Sequence, residues 1–445
     1  MTIGDSHLCI AGLHKELGPI IRVSPNELSF ASVESIQAIY GHAPGKAPLK
    51  RGSFFMMLHS GFKKPNIVSE LDQDRHRELR KIMLPAFSHR ALQEQESVMS
   101  GMIDKWLTKI SQQATPGSNG VEIGRWYALD ALDILGELAF GESFQAVQTG
   151  RLDTRLNLSV NPYVVTLIDN LRHIDFVVTL VKLLVPPSLL HKNPNAVFSR
   201  EQAERRLALG ESKQDFVFPL VEKVLNGEMD KEEMASNMFV LTIAGQDTSV
   251  MSLLSITYLL LRNPDKLDRF VSEIRSNFDK YEDINSTKAQ QIRYVQAVIN
   301  ESLRMIPPAP SGLGLPRVSS GFEIHGRYIP PDVEVFTAPW SLTHDPKYWT
   351  DPMEFKPERW LDPDCKDIKE ASTPFSVGPT LCIGKGFSLM EINLILAKMF
   401  WKYDLELVNQ DFDWIRDGRV NAGWWWPKLY ICFHPRADQA TVSDE

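Results

Sequence analysis

The stretch FSVGPTLCIG, Phe375 to Gly384, sets one cysteine, Cys382, between two glycines in a loop that opens a helix. A thiolate that serves as a metal ligand needs backbone N–H groups close to its sulfur, and glycine permits the tight paths that bring them there. Gly378 and Gly384 stand where such paths would run. The stretch therefore reads as a cradle for a metal-bound thiolate. Taken alone it also fits a buried structural cysteine in a turn, since free cysteines often behave as small hydrophobes.

The remainder of the composition narrows the class. The 445 residues are 43% hydrophobic and 23% charged, which suits a globular chain with a sizeable core and excludes a fibrous or disordered one. The four cysteines, Cys9, Cys365, Cys382 and Cys432, have no CxxC spacing, so neither a disulfide framework nor a zinc site is indicated. A formal net charge of -8 argues against a general nucleic-acid binder. No run of eighteen apolar residues occurs, and the start MTIGDSHLCI lacks the basic flank and apolar core of a signal peptide. The stretch from Phe176 to Leu190 is interrupted by Lys182, Pro186 and Pro187, so it could graze a bilayer but not span one.

From Glu70 to Arg304 the apolar residues recur at helical spacing, broken by Asn-Pro and glycine. Short alternating or β-branched runs lie at Ile20 to Phe30, Phe322 to Ile329, Val333 to Thr337 and Leu429 to Phe433. The expected fold is mainly α with a small β region, an α+β arrangement. Residues 1–445 form a single domain in this reading, with a β-rich portion built from about 18–50, 312–340 and 405–435. The longest periodic segment runs from Lys231 to about Arg262, opened by Asp230 with Glu233 three residues on and closed by Asn263 and Pro264. In its middle AGQDTS, Ala244 to Ser249, interrupts an apolar face. A mid-helix glycine costs roughly 1 kcal/mol against alanine, and a buried Asp or Thr needs partners, so the segment points to something other than packing.

Four motifs in this order, AGQDTS, ESLR (Glu301 to Arg304), PERW (Pro357 to Trp360) and FSVGPTLCIG, resemble a cytochrome P-450 over nearly the whole chain. The wording GPIIRVSPNELSF, FGESF and ERRLALG is most similar to its fungal secondary-metabolite branch. The resemblance implies the family's fold, with the long central helix lying over heme b (iron protoporphyrin IX), and a monooxygenase activity. It makes Cys382 the iron ligand, with Phe375, Gly378 and Gly384 shaping its loop. Asp247 and Thr248 would hold water and pass protons to dioxygen, with Gly245 making room. On motif spacing alone, that pair also fits a back-bonded threonine beside a surface aspartate.

The resemblance further joins Glu301 and Arg304 to Arg359 in a buried cluster around the cysteine loop. His76 and Arg80, one turn apart in DRHRELRK, and Arg317 would neutralise the heme propionates. One departure stands out: the family's arginine two residues before the cysteine is Thr380 here. Substrate contacts would come from Phe54, Phe55, Met56, Met57, Phe239, Ile243, Ala244, Ala309, Leu313, Gly423 and Trp424, a largely apolar set that implies a bulky hydrophobic substrate. Several of these residue types are also ordinary core.

The expected reaction is hydroxylation or epoxidation of a secondary metabolite such as a terpenoid, polyketide or alkaloid. Desaturation, ring closure or oxidative coupling on the same heme, or a non-catalytic heme binder, are the alternatives. No flavin or nicotinamide fingerprint occurs, since SGLGLP (Ser311 to Pro316) neither follows a strand nor opens a helix, so electrons come from a partner. The resemblance names NADPH-cytochrome P-450 reductase, with Arg75, Arg77, Lys81 and Lys385 as a basic landing site; the same charges also fit a solvated mixed face. The native full-length protein is expected on the cytosolic face of the endoplasmic reticulum membrane, held by an N-terminal anchor absent from this chain, which would itself be soluble.

Overall fold

Apolar side chains on every face of one long segment make it the buried axis of the molecule. The computed structural model describes residues 4–42, 48–52, 54–55, 61–151, 171, 174, 176, 193–310, 316–420 and 423–436. Its helices of eight or more residues, among those described, are α1 (Ser6–Leu17), α2 (Val33–Tyr40), α3 (Gln73–Met83), α4 (His89–Ser111), α5 (Ile123–Leu135), α6 (Pro194–Ala208), α7 (Phe218–Leu225), α8 (Lys231–Leu261), α9 (Pro264–Asn277), α10 (Arg293–Met305) and α11 (Lys385–Lys402). The axis is α8. Asp230 caps it by accepting from the Glu232 N–H at 2.7 Å, and Pro264 ends it by forcing Asn263 out of the helical region. Glu233, the expected second half of a capping box, instead pairs with Arg75 of α3. Among the described residues α8 is the one helix long and apolar enough to cross a membrane, but most of it is enclosed by protein, so it is a core helix.

Helix α5 runs antiparallel to α8 at close range, and glycines mark both ends of the contact. A Cβ on Gly124 would stand 3.2 Å from a Leu254 methyl, and one on Gly245 would stand 3.0 Å from a Leu135 methyl. Gly245, expected to make room for dioxygen, therefore serves this helix contact. Helix α11 packs on α4, α8 and α9, contributing Ile392, Leu394, Ile395, Leu396 and Phe400 to the main core.

The strands are β1 (Ile20–Ser24), β2 (Glu27–Phe30), β3 (Lys50–Arg51), β4 (Val121–Glu122), β5 (Arg317–Val318), β6 (Phe322–Ile324), β7 (Arg327–Ile329), β8 (Glu334–Thr337), β9 (Tyr403–Leu407) and β10 (Tyr430–Pro435). They form a five-stranded sheet in the order β1-β2-β8-β5-β3, a three-stranded sheet β4-β10-β9 and the hairpin β6-β7. Ile20 to Phe30 and Phe322 to Ile329, each read as one run, are two hairpins, because Pro25-Asn26 and His325-Gly326 supply turns. The parallel pairing of Glu27–Phe30 with Glu334–Thr337 carries the N-terminal segment to the C-terminal half of the chain. That sheet delivers Arg51 and Arg317 side by side in register.

Candidate active site

Cys382 sits three residues before Lys385, the first residue of α11. Its sulfur accepts from the backbone N–H groups of Gly384 and Lys385, and its own N–H donates to the Phe375 carbonyl at 2.9 Å. The side chain has accessible surface although protein surrounds it on most sides, so it faces a recess inside the molecule. Burial pushes the thiol up; the two N–H groups and the Arg80 and Lys385 charges pull against that. The two glycines have different tasks. Gly384 brings its N–H to the sulfur, whereas Gly378, at φ +68°, lies so close to the end of α2 that a Cβ would overlap the Tyr40 carbonyl oxygen. Phe375 carries Lys385 over its ring at 5.7 Å.

On α8 one turn breaks the burial. Ala244, Asp247 and Thr248 are exposed while Gln246 and Ser249 beside them are buried. Protein nevertheless surrounds Asp247, and desolvation alone raises its carboxyl to about 6. No hydrogen bond or ion pair of the Asp247 carboxyl is found among the described residues. The Thr248 hydroxyl donates to the Ala244 carbonyl at 2.7 Å, leaving its oxygen lone pairs as acceptors. One residue on, the Ser249 hydroxyl donates to Glu391 of α11 at 2.5 Å. That bond ties the helix of Asp247 and Thr248 to the helix that follows Cys382.

A cluster of cations borders the recess, and it differs from the expected one. Arg80 lies near enough to Cys382 for their charges to interact. Arg317 is 4% exposed, donates to Thr380 Oγ1 at 3.0 Å, and has the rings of Tyr40 and Phe55 at 5.2 and 5.3 Å. Arg51 completes the group: it donates to the Ile67 carbonyl at 2.7 Å, the Glu70 carbonyl at 3.1 Å and His76 Nε2 at 2.9 Å. A guanidinium has no acceptor, so His76 must accept there. Burial, with the charges of Arg51, Arg80 and Arg317, lowers His76 to about 4. His76 is thus a neutral support for Arg51 and not the cation expected of it. Arg51 itself, pushed down to about 9 by burial and by Arg317, was missed in the sequence because it lies 25 residues from His76 in a two-residue strand.

Glu301, Arg304 and Arg359 do meet, and all three are buried. Arg304 forks onto both Glu301 oxygens at 2.8 and 2.9 Å, and Arg359 reaches Oε1 at 3.1 Å. Three further partners escaped the sequence reading. Trp360 donates its indole N–H to Glu301 at 2.9 Å, Trp349 lies beside both guanidiniums, and Asp367 pairs with Arg359. Two cations and two carboxylates thereby balance inside the protein.

The expected substrate residues disperse. Ala244 and Ala309 are exposed, and Ile243 is partly buried. Phe239 packs against Phe62 in an apolar cluster with α3 and α6. Phe55 is held between Arg51 and Arg317 with Phe54 edge-on to it, so both belong to the cation cluster. Trp424 is core: it is buried against His7, Trp340 and Trp414 and donates to the Pro307 carbonyl at 2.8 Å. Gly423 has open space around it. Leu313, Met56, Met57, most of Phe176 to Leu190, and Ser311 to Leu315 lie outside the described residues. Of the basic set, Arg75 is tied to Glu78 and Glu233 and Arg77 to Asp74, while Lys81 and Lys385 are exposed.

A soft sulfur donor with N–H support, an acid and a hydroxyl on an exposed turn of α8, and a group of three arginines near the cysteine loop form a donor set that suits an iron porphyrin with two anionic side chains. The chain belongs to the cytochrome P450 family, whose model matches residues 4–433. It is 48% identical to the cytochrome P450 monooxygenase BOT4 of Botryotinia fuckeliana, over 97% of this chain and 82% of that one. It is 41% identical to the cytochrome P450 monooxygenase ORF9 of Penicillium roqueforti (strain FM164), over 98% and 85%. To the trichothecene C-15 hydroxylase of Fusarium sporotrichioides it is 31% identical, over 98% and 89%. The protein is therefore a monooxygenase with heme b as cofactor, and it works with a redox partner, an organic substrate and dioxygen.

Proposed function

We propose that this chain inserts one oxygen atom of dioxygen into a bulky hydrophobic secondary metabolite, such as a terpenoid, polyketide or alkaloid, by hydroxylation or epoxidation. The observation that carries the reading is the exposed turn Ala244, Asp247 and Thr248 in an otherwise buried helix, bonded through Ser249 and Glu391 to the helix behind Cys382. The name of one relative, a C-15 hydroxylase, favours hydroxylation.

Heme, when bound, supplies the activation of dioxygen and the transfer of one oxygen atom to the substrate. Cys382 holds the iron through its sulfur, and the Gly384 and Lys385 N–H groups moderate the sulfur's electron donation. Arg51, Arg80 and Arg317 hold the propionates, with His76 orienting Arg51. Asp247, raised to about 6, takes a proton from solvent-side water and gives it up near neutral pH, where a general acid is most effective. Thr248 accepts at its oxygen, its own proton being committed to the Ala244 carbonyl, and so orients water along the turn. Ala244 and Ala309 leave room for the substrate.

NADPH-cytochrome P-450 reductase is the proposed electron donor, with exposed Lys81 and Lys385 as part of its landing site, at the cytosolic face of the endoplasmic reticulum. The test is a titration of the purified ferric holoprotein with fractionated metabolites of its producer, followed by turnover with reductase and NADPH. A saturable spin-state shift in one fraction, with one oxygen atom added to its component, is expected. No shift with any apolar fraction overturns the substrate class.

A further inference from the structure

Residue 380 stands two positions before the cysteine, and it is threonine where the family resemblance implies an arginine. The structure assigns Thr380 a positioning role: its hydroxyl fixes the buried guanidinium of Arg317 to the cysteine loop, so that an arginine from strand β5 supplies the charge the loop lacks. The inference rests on the heme-thiolate reading above.

Three observations carry it. The Arg317 Nη2 donates to Thr380 Oγ1 at 3.0 Å, while Nη1 reaches the Pro316 carbonyl at 3.1 Å, so the two amino ends of the guanidinium have separate anchors on strand and loop. The rings of Tyr40 and Phe55 lie over the same guanidinium at 5.2 and 5.3 Å and confine it sideways. Gly378, in the same short turn as Thr380, seats that turn against the Tyr40 carbonyl, which no side chain would allow. The acceptor, the ring and the turn are thus built against one another.

The chemistry explains why threonine suits this place. An arginine at residue 380 has only donors and a positive charge, so it could not receive Arg317 and would repel it. A hydroxyl accepts from Arg317 and keeps its own proton free to donate to an anion. The loop thereby offers a neutral donor beside an imported cation. Threonine and Arg317 act as a pair, and the loss of either should cancel most of the effect of losing the other.

The test uses the holoprotein and the variants T380V, T380S, R317A and R317A/T380V. Two quantities are read: the rate of heme transfer to excess apomyoglobin and the reduction potential of the heme. T380V, which keeps shape and loses the acceptor, is expected to release heme about tenfold faster and to shift the potential, as loss of an orienting partner does at other metal sites. T380S should stay near wild type, and R317A/T380V should release heme little faster than R317A alone. Equal values for T380V and wild type, or additive effects in the double variant, overturn the inference while the thiolate reading stands. A wild-type carbon-monoxide complex without the red-shifted thiolate band overturns both.

Discussion

Asp247 shows how one side chain is made useful by its surroundings. Among the described residues no cation stands beside it, and desolvation alone lifts its carboxyl to about 6, within reach of both protonation states near neutral pH. Replacing it with asparagine keeps the size and removes the exchangeable proton. D247N is expected to lower kcat by about 100-fold or more, since a positioned general acid contributes on the order of 10² to 10⁴. Its substrate-induced spin shift should saturate at the wild-type concentration. A D247N enzyme with unchanged kcat, or one that loses substrate binding in proportion, contradicts the proton-transfer role. The identity of Asp247, Thr248 and Cys382 as candidates was legible because each lies inside a local motif. Arg51 was not, since its place beside His76 and Arg317 is decided by sheet pairing and nothing in KR or its neighbours announces it.

At the scale of elements, the contact of α8 with α11 depends on a buried acid. Glu391 is fully buried, accepts from Ser249, and is raised to about 7 by desolvation. Asp130 of α5, opposite this point, is also buried and held well above the carboxylate range by burial and by Glu391, whereas the nearby Asp133 accepts from Ser143 and the Ala146 and Val147 N–H groups. The fold thus favours protonated Glu391, whose ordinary value is 4.5. Its contribution is complete below about pH 4.5 and is lost as pH rises through about 7, a change of about 3 kcal/mol at roughly 1.4 kcal/mol per pH unit. E391Q cannot ionise, so its stability relative to wild type should rise by about that amount between pH 4 and pH 8 in denaturant titrations. Parallel pH profiles would sink the idea. This acid sits nine residues beyond Cys382 on an apolar helix face, where periodicity reads only core.

Across the whole molecule, the recess is enclosed by pieces distant in sequence, and the Glu301 cluster holds the last of them in place. Arg304 reaches the carbonyls of Thr343 and Pro352, and Arg359 pairs with Asp367, so one buried network pins the segment from Thr343 to Asp367 ahead of the cysteine loop. R359A leaves Glu301 and Asp367 short of a partner inside the protein, and should cost about 3–5 kcal/mol and release heme. A thermal melt of the holoprotein read at the heme band checks this; an unchanged midpoint would contradict it. The helical core and the long α8 were legible because period and caps are local. The sheet order was not, because the parallel pairing of β2 with β8 joins residues some 300 positions apart and β4 is a two-residue piece within a helical run. Trp424 misled for a related reason: an aromatic in a late turn looks like a pocket wall until His7 and Trp340 are seen against it.

The central claim is that Cys382 supplies the thiolate. The most direct measurement is the absorption spectrum of the carbon-monoxide complex of the reduced holoprotein, wild type against C382S. A red-shifted thiolate band in the wild type that disappears in C382S is the expected result; a wild type without it, or a C382S protein that keeps it, contradicts the account.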